Sequence, residues 1–360
     1  MKLFFPTVFC FITLLTAFVL FADDSAKMDF VRIRADASVG GYAAFPDVCR
    51  LQDGRLLCVF YAGYGHVSLP NDKHPKGGQI VASYSADEGK TWTVPKTIID
   101  TPEDDRDPSV VQLADGRILC TFFTYRPIDH AQDVNRYIIV KSGIVESADN
   151  GKTWSEPRFL FGDSPVNVCL SQPIRVLSDG TLLMPLYLAD NDNPDRNSGA
   201  VSLSYDKGKT WSDVIVIPNG GRPLDAETDV IERKDGTLYA IQRHQTDSMG
   251  VSLSKDKGKT WSVSDPVGFP GHCPYLLRTK DDEILLATRI PATSLRISRD
   301  ECKTWSESIA VDSVGGAYPS MVELRDGSIL IVYYEEGIGS SIRIKKFRVL
   351  NAGVHWLSFE

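Results

Sequence analysis

The sequence has no excess of basic charge. Lys and Arg total 39 against 47 Asp and Glu, a formal net charge of −8. A chain that tracks a phosphate backbone carries a basic surplus, so nucleic acid is excluded as the expected partner. None of the seven cysteines forms a Cys-x-x-Cys pair, which removes the usual spacing of a structural zinc site. No cofactor or metal is expected from any motif in the chain. Beyond residue 24 no apolar run is long enough to cross a bilayer. Helical periodicity is nowhere sustained, which leaves an all-β chain as the reading of the hydrophobic pattern.

The N-terminus differs in kind. Lys2 precedes an almost wholly apolar stretch from Leu3 to Phe21, and Ala22 is followed by Asp23 and Asp24. A basic start, an apolar run and a small residue before charge read as a signal peptide over residues 1–22. A retained membrane anchor is the competing reading of the same stretch. The expectation is a secreted or periplasmic protein with no stable membrane insertion after the signal is removed. Residues 23–360 then form one domain. With Cys10 in the signal, six cysteines remain that an exported protein can pair. Cys58 and Cys120, however, sit in apolar strand patterns, where cysteine acts as a small hydrophobe.

Two patterns repeat along that domain. One is apolar strand, Asp-Gly, apolar strand, at Asp53-Gly54, Asp115-Gly116, Asp179-Gly180, Asp235-Gly236 and Asp326-Gly327, with a degraded copy at Asp281-Asp282. Asp-Gly between alternating hydrophobics is a strong hairpin signal, since glycine accepts φ > 0 freely. The other is Ser-x-Asp-x-Gly-x-Thr-Trp, beginning at Ser85, Ser147, Ser204 and Ser254. A fifth copy begins at Ser298 and has Cys302 at the glycine position. Five tryptophans (Trp92, Trp154, Trp211, Trp261, Trp305) occupy that single motif position. Such placement points to packing between neighbouring units and not to ligand stacking. The patterns alternate, so each unit holds two hairpins, which make a four-stranded antiparallel blade. Six units predict a six-bladed β-propeller. The last unit lacks the second motif, and strands near Phe30 to Ile33 or at the C-terminus can complete it.

The second motif is the Asp box. Five copies at blade spacing resemble the Asp-box (BNR-repeat) propellers of the sialidase, or neuraminidase, superfamily over nearly the whole mature chain. The residues opening each innermost strand converge on the propeller axis: Phe45-Pro46, Asp107-Pro108, Gln172-Pro173, Glu227-Thr228, Cys273-Pro274 and Tyr318-Pro319. Sialidases depart from the two-carboxylate glycosidase scheme by using a tyrosine nucleophile. The resemblance implies Tyr318 as that nucleophile, within Gly316-Ala317-Tyr318-Pro319-Ser320-Met321, and Glu227 as the base that activates it. It also implies Arg243 and Arg289 as two arginines of a carboxylate clamp, because guanidinium forks bind carboxylates bidentately.

The resemblance departs at one place. Ala43-Ala44-Phe45-Pro46 stands where the family has a Phe/Tyr-Arg-Ile-Pro motif, so Ala44 replaces the first clamp arginine. Arg106, Arg126 and Arg136 are candidates for the missing charge, with Arg106 nearest the axis through Arg106-Asp107-Pro108. The family's acid/base aspartate lies in the loop matching Ala62 to Gln79, where Asp72 is the positional match. Asp47 and Asp107 are its rivals, and His66 and His74 lie in the same loop. Asp107 and His272 are read as substrate-binding groups. The implied function is an exo-glycosidase removing terminal sialic acid or a related acidic sugar from a glycan. Another propeller enzyme, such as a polysaccharide lyase or a different exo-glycosidase, and a non-catalytic glycan-binding propeller stay open.

Overall fold

A computed structural model describes residues 30–34, 41–127, 138–162, 166–170, 172–245, 248–337, 340–351 and 353–359. The chain forms six antiparallel sheets, one after another. Blade 1 runs Tyr42–Arg50, Leu56–Gly63, Gln79–Ser85 and Lys96–Ile99, from the axis outward. Blades 2 to 5 repeat this plan with inner strands Asp104–Gln112, Asn167–Cys169 together with Arg175–Val176, Leu224–Glu232, and Tyr275–Arg278. Blade 6 has Gly316–Glu323 innermost, then Ile329–Glu335 and Ser341–Leu350.

The fourth position of blade 6 is filled twice. Val31–Ile33 pairs with one half of Ser341–Leu350, Val31 opposite Ile344, and Gly353–Leu357 pairs with the other half, Leu357 opposite Lys346. Both chain ends named in the sequence therefore complete the last blade, end to end on one edge. Residues 1–29, with the signal-like stretch, lie outside the described residues.

Each second strand is apolar on both faces because neighbouring blades cover both. All eight residues of Leu56–Gly63 are buried. Period-2 alternation sends Leu56, Cys58 and Phe60 into the seam with blade 6, and Leu57 and Val59 into the seam with blade 2. Six such clusters occupy the six seams, and the last one joins blade 6 to blade 1. Trp92, Trp154, Trp211, Trp261 and Trp305 each sit in the seam between their own blade and the preceding one. Trp356, from the C-terminal strand, packs into the sixth seam.

The Asp-Gly hairpins close with three-residue loops. Leu51 and Arg55 pair across the first, and Gly54 sits at φ 90°, which is the three-residue form with glycine in the left-handed position. In the degraded copy Asp282 takes that position at φ 69°. Each Asp box is a self-capped turn. In the first, Ser85 Oγ donates to Asp87 and accepts from Gly89 N–H, while Asp87 accepts from Thr91 N–H and Oγ1. Cys302 occupies the glycine position of the fifth box at φ 61° and is buried in the seam between blades 4 and 5. All six cysteines of the described residues are free thiols, so the pairing that their number allowed does not occur.

Antiparallel order puts the Asp-Gly hairpins and the Asp boxes at one end of the ring. The opposite end is built from the starts of the inner strands, the ends of the second strands and the loops that follow them.

Candidate active site

At that opposite end the inner strands are bulged. Phe45-Pro46, Asp107-Pro108 and Tyr318-Pro319 each place two residues against one on the partner strand. The residue before each proline is left-handed, at φ 52° for Phe45, 48° for Asp107 and 43° for Tyr318; Cys273 follows suit at 51°. A side chain in this region costs about 1–2 kcal/mol. Four such residues around one axis mark a site where backbone strain aims side chains inward. Phe45, Asp107, Gln172, Cys273 and Tyr318 all line one small axial cavity.

Tyr318 Oη donates to Glu227 Oε1 at 2.6 Å. Both come from inner strands, of blades 6 and 4. Burial, with Cys273, Glu227 and Asp107 nearby, pushes the Tyr318 phenol well above its ordinary range despite the opposing pull of Arg243. Burial also acts to raise the Glu227 carboxyl, but the Arg243 charge and the Tyr318 hydrogen bond outweigh it and hold it below the usual range. The resting pair is a neutral phenol against a carboxylate.

Arg243 ends the second strand of blade 4, opposite a wider bulge. Leu224 pairs with His244 and Thr228 with Gln242, so Asp225, Ala226 and Glu227 all face Arg243. Alternation within this bulge turns Asp225 and Glu227 to one side. Arg243 Nη1 lies 3.2 and 3.3 Å from the two Glu227 oxygens, and its Nη2 contacts Asp225. Arg289, one residue past the second strand of blade 5 (Ile284–Thr288), holds its guanidinium 5.7 Å from the Tyr318 ring centre. It makes no ion pair among the described residues, and its buried Nε has no partner there. His272 adjoins both arginines; burial and their charges lower its imidazole to about 4, so it is neutral at physiological pH.

Tyr318, Glu227, Asp107 and Arg106 line a common cleft of about 970 Å³, open mouth included, with His66, Asp225, Asp190 and Asn191. Arg106 is buried and already compensated. It bonds Asp104 at 3.2 Å, Asp107 at 3.3 Å and the His66 carbonyl at 3.0 Å, under the Tyr125 ring at 4.4 Å. Its charge is thus not free to replace an arginine at Ala44, which is itself fully buried opposite Tyr61. Arg126 is exposed, and Arg136 lies outside the described residues.

Asp72 is exposed in a turn and does not line the cleft. Asp47 is buried one layer below, bonded to Val48 N–H, Val110 N–H and Ser320 Oγ. Asp107 is different: it faces the cleft, its Oδ1 is buried with no partner among the described residues, and burial raises its carboxyl to about 6, helped by Glu227 and opposed by Arg106. From the loop after the second strand of blade 1, the residue reaching the cleft is His66. Its Nδ1 lies 3.2 Å from both Tyr42 Oη and Glu336 Oε2. His74 instead stacks on Tyr64 at 4.6 Å. Sequence reasoning passed over Asp225 and Glu336. Asp225 had a signal, two residues before Glu227 on one strand, but only the bulge turns both onto one guanidinium.

Fold and site together define a propeller of the sialidase superfamily. The chain belongs to the BNR repeat-like domain family, whose model matches residues 129–331. Over 223 residues it is 28% identical to a sialidase of Paraclostridium sordellii, covering 56% of this chain and 52% of that protein. Over 145 residues it is 34% identical to a sialidase of Bacteroides fragilis, covering 38% of this chain and 23% of that protein. The chain thus spans about half the length, or less, of these relatives. A Dyadobacter fermentans protein of unknown function superposes with a TM-score of 0.73 at 24% identity, over 88% of this chain and 97% of its own. The intramolecular trans-sialidase of Ruminococcus gnavus, solved with oseltamivir carboxylate, superposes at 0.68 and 15% identity, over 89% and 97%. These two likenesses are of fold.

Proposed function

We propose that the chain is an exported glycoside hydrolase that removes terminal sialic acid, or a related acidic sugar, from glycans. The observation that carries this reading is the 2.6 Å hydrogen bond from Tyr318 to Glu227, beside two arginines and at the wall of an open cleft. The anomeric carbon of such a sugar carries a carboxylate. A carboxylate nucleophile would approach it against like charge, whereas a neutral phenol does not.

In the first step Tyr318 Oη bonds to the anomeric carbon as Glu227 takes the phenolic proton. The bond to the leaving oxygen breaks, and that oxygen takes a proton from Asp107. Asp107 fits this role because its carboxyl titrates near 6 and one of its oxygens has no partner among the described residues. In the second step water attacks the anomeric carbon and gives a proton to Asp107. The bond to Tyr318 then breaks, and the phenolate recovers its proton from Glu227. Both inversions cancel, so configuration is retained. Arg289, with Arg243, pairs with the sugar carboxylate and fixes the ring over Tyr318.

The test is turnover of a fluorogenic sialoside, with Tyr318→Phe expected to lower kcat by roughly 10³-fold or more. No turnover of any sialoside or related ulosonic acid glycoside sinks the reading. Unchanged turnover in Tyr318→Phe sinks the nucleophile while leaving hydrolysis standing. The compensated state of Arg106 favours one alternative, a glycosidase for a sugar without a carboxylate. Turnover confined to neutral aryl glycosides identifies it.

A further inference from the structure

Arg106 lines the cleft, Arg243 and Arg289 lie beside the Glu227–Tyr318 pair, and resident carboxylates already hold two of the three. Arg106 is bound by Asp104 and Asp107, both buried. Arg243 is bound by Glu227 and Asp225. Arg289 makes no ion pair among the described residues and keeps a buried, unpartnered Nε. A sugar carboxylate entering beside Tyr318 therefore meets one open guanidinium and one that is occupied.

The two carboxylates on Arg243 are not equivalent. Glu227 is buried, with 1% of its side chain exposed, and it is fixed by Tyr318 as well. Asp225 is 36% exposed and makes no other polar contact of its side chain among the described residues. It can swing into water and recover its hydration, leaving Nη2 vacant while the Arg243 charge stays compensated by Glu227. Glu227 cannot do so without stranding a buried charge. The extra residue in the blade 4 bulge is what creates this arrangement. With two residues opposite Arg243, as in the bulges of blades 1, 2 and 6, only one side chain would face it.

We infer that Asp225 is a latch on the carboxylate clamp: in the free protein it occupies the face of Arg243 that an acidic sugar must take. This rests on the acidic-sugar reading above. Asp225 is then a specificity-determining residue. It penalises every ligand whose carboxylate seeks Arg243, so only sugars whose remaining contacts offset the exchange are held. The class most affected is the free or terminal ulosonic acid, and an uncharged analogue of the same ring does not sense the latch.

The experiment measures binding of N-acetylneuraminic acid and of its methyl ester to the full chain and to Asp225→Asn and Asp225→Ala, by calorimetry. Thermal melts establish that each variant folds. The acid is expected to bind about threefold to tenfold tighter to both variants, while the ester changes by less than twofold. Tighter acid binding to the variants, even where the unaltered chain binds none, supports the latch. Acid binding that is unchanged, or acid and ester weakening together, overturns it and leaves the hydrolase reading intact if sialosides are turned over. Absence of acid binding in all three proteins, with no sialoside turnover, removes the acidic-sugar reading and the latch with it.

Discussion

Asp107 and Tyr318 hold left-handed backbone ahead of a proline, and each aims a titratable group at the cleft. Their difference in protonation follows from their surroundings. Burial raises both, and the Asp107 carboxyl comes to about 6. Its donor form is present below that value and is lost as pH rises through it. For a substrate with a poor leaving group, kcat is therefore expected to fall on the alkaline side of about pH 6. Asp107→Asn should remove that limb and lower kcat by about 10²-fold or more. An activated aryl leaving group needs little protonation, so the loss there should be much smaller. Equal losses on both substrates would assign Asp107 to positioning Arg106. Much of this site was legible in sequence. Tyr318 and Glu227 stand at strand openings of the repeat, and the family resemblance marks them, with Arg243 and Arg289, as candidates. The exposure of Asp72 and the arrival of His66 were not legible, because a loop's path over a surface is decided by contacts distant in sequence.

At the scale of elements, a buried aspartate two residues after the axial position links neighbouring blades. Asp47 on blade 1 accepts from Val110 N–H of blade 2 at 2.7 Å and from Ser320 Oγ of blade 6 at 2.5 Å. Asp229 on blade 4 accepts from Leu276 N–H of blade 5 at 2.7 Å and binds Arg175 of blade 3. An amide at position 47 has one acceptor oxygen and points a donor at donors. Asp47→Asn should therefore lose about 1–3 kcal/mol at pH 7, read by chemical denaturation. Burial raises the Asp47 carboxyl to about 6, against its hydrogen bonds. The folded state thus binds this proton more tightly than the unfolded chain does. Its contribution to stability falls as pH rises from about 4 to about 6 and is constant above that. Asp47→Asn should flatten this part of the stability profile. The Asp boxes make a second prediction. Gly89 lies at φ 87°, and a Cβ there would meet Leu330 Cδ1 at 2.3 Å. Gly89→Ala should cost about 2 kcal/mol or more, seen as a lower Tm. Cys302 shows that one seam has room for a side chain at the same turn position.

For the whole molecule, closure of the ring joins residues from opposite ends of the chain. Val31–Ile33 and Gly353–Leu357 share one edge of Ser341–Leu350. Ile33 is buried in the seam between blades 6 and 1. A chain beginning at residue 35 should expose the backbone of Ile342 to Ile344 as an unpaired edge. Its Tm should fall by several degrees, and it should associate at concentrations where the full chain does not. Scanning fluorimetry and light scattering read the two effects. An unchanged melt would show that the C-terminal strand closes the ring alone.

Sequence by itself determined the all-β class, the six blades, the hairpins and the tryptophan of each Asp box, since all are local. Each depends on a short pattern of glycine, aspartate and alternating apolar residues, repeated in register. The family resemblance carried by those repeats also singled out Tyr318, Glu227, Arg243 and Arg289 as candidates, the first two at positions that open inner strands. Tertiary structure alone decided which charges are free. Arg106 looks available in the sequence and is neutralised by Asp104 and Asp107; Arg243 is shared with Asp225; Arg289 has no ion pair among the described residues. Ion pairing depends on distances of a few ångströms between side chains from different strands. Those distances are set by bulges and by closure of the ring, which no local pattern records.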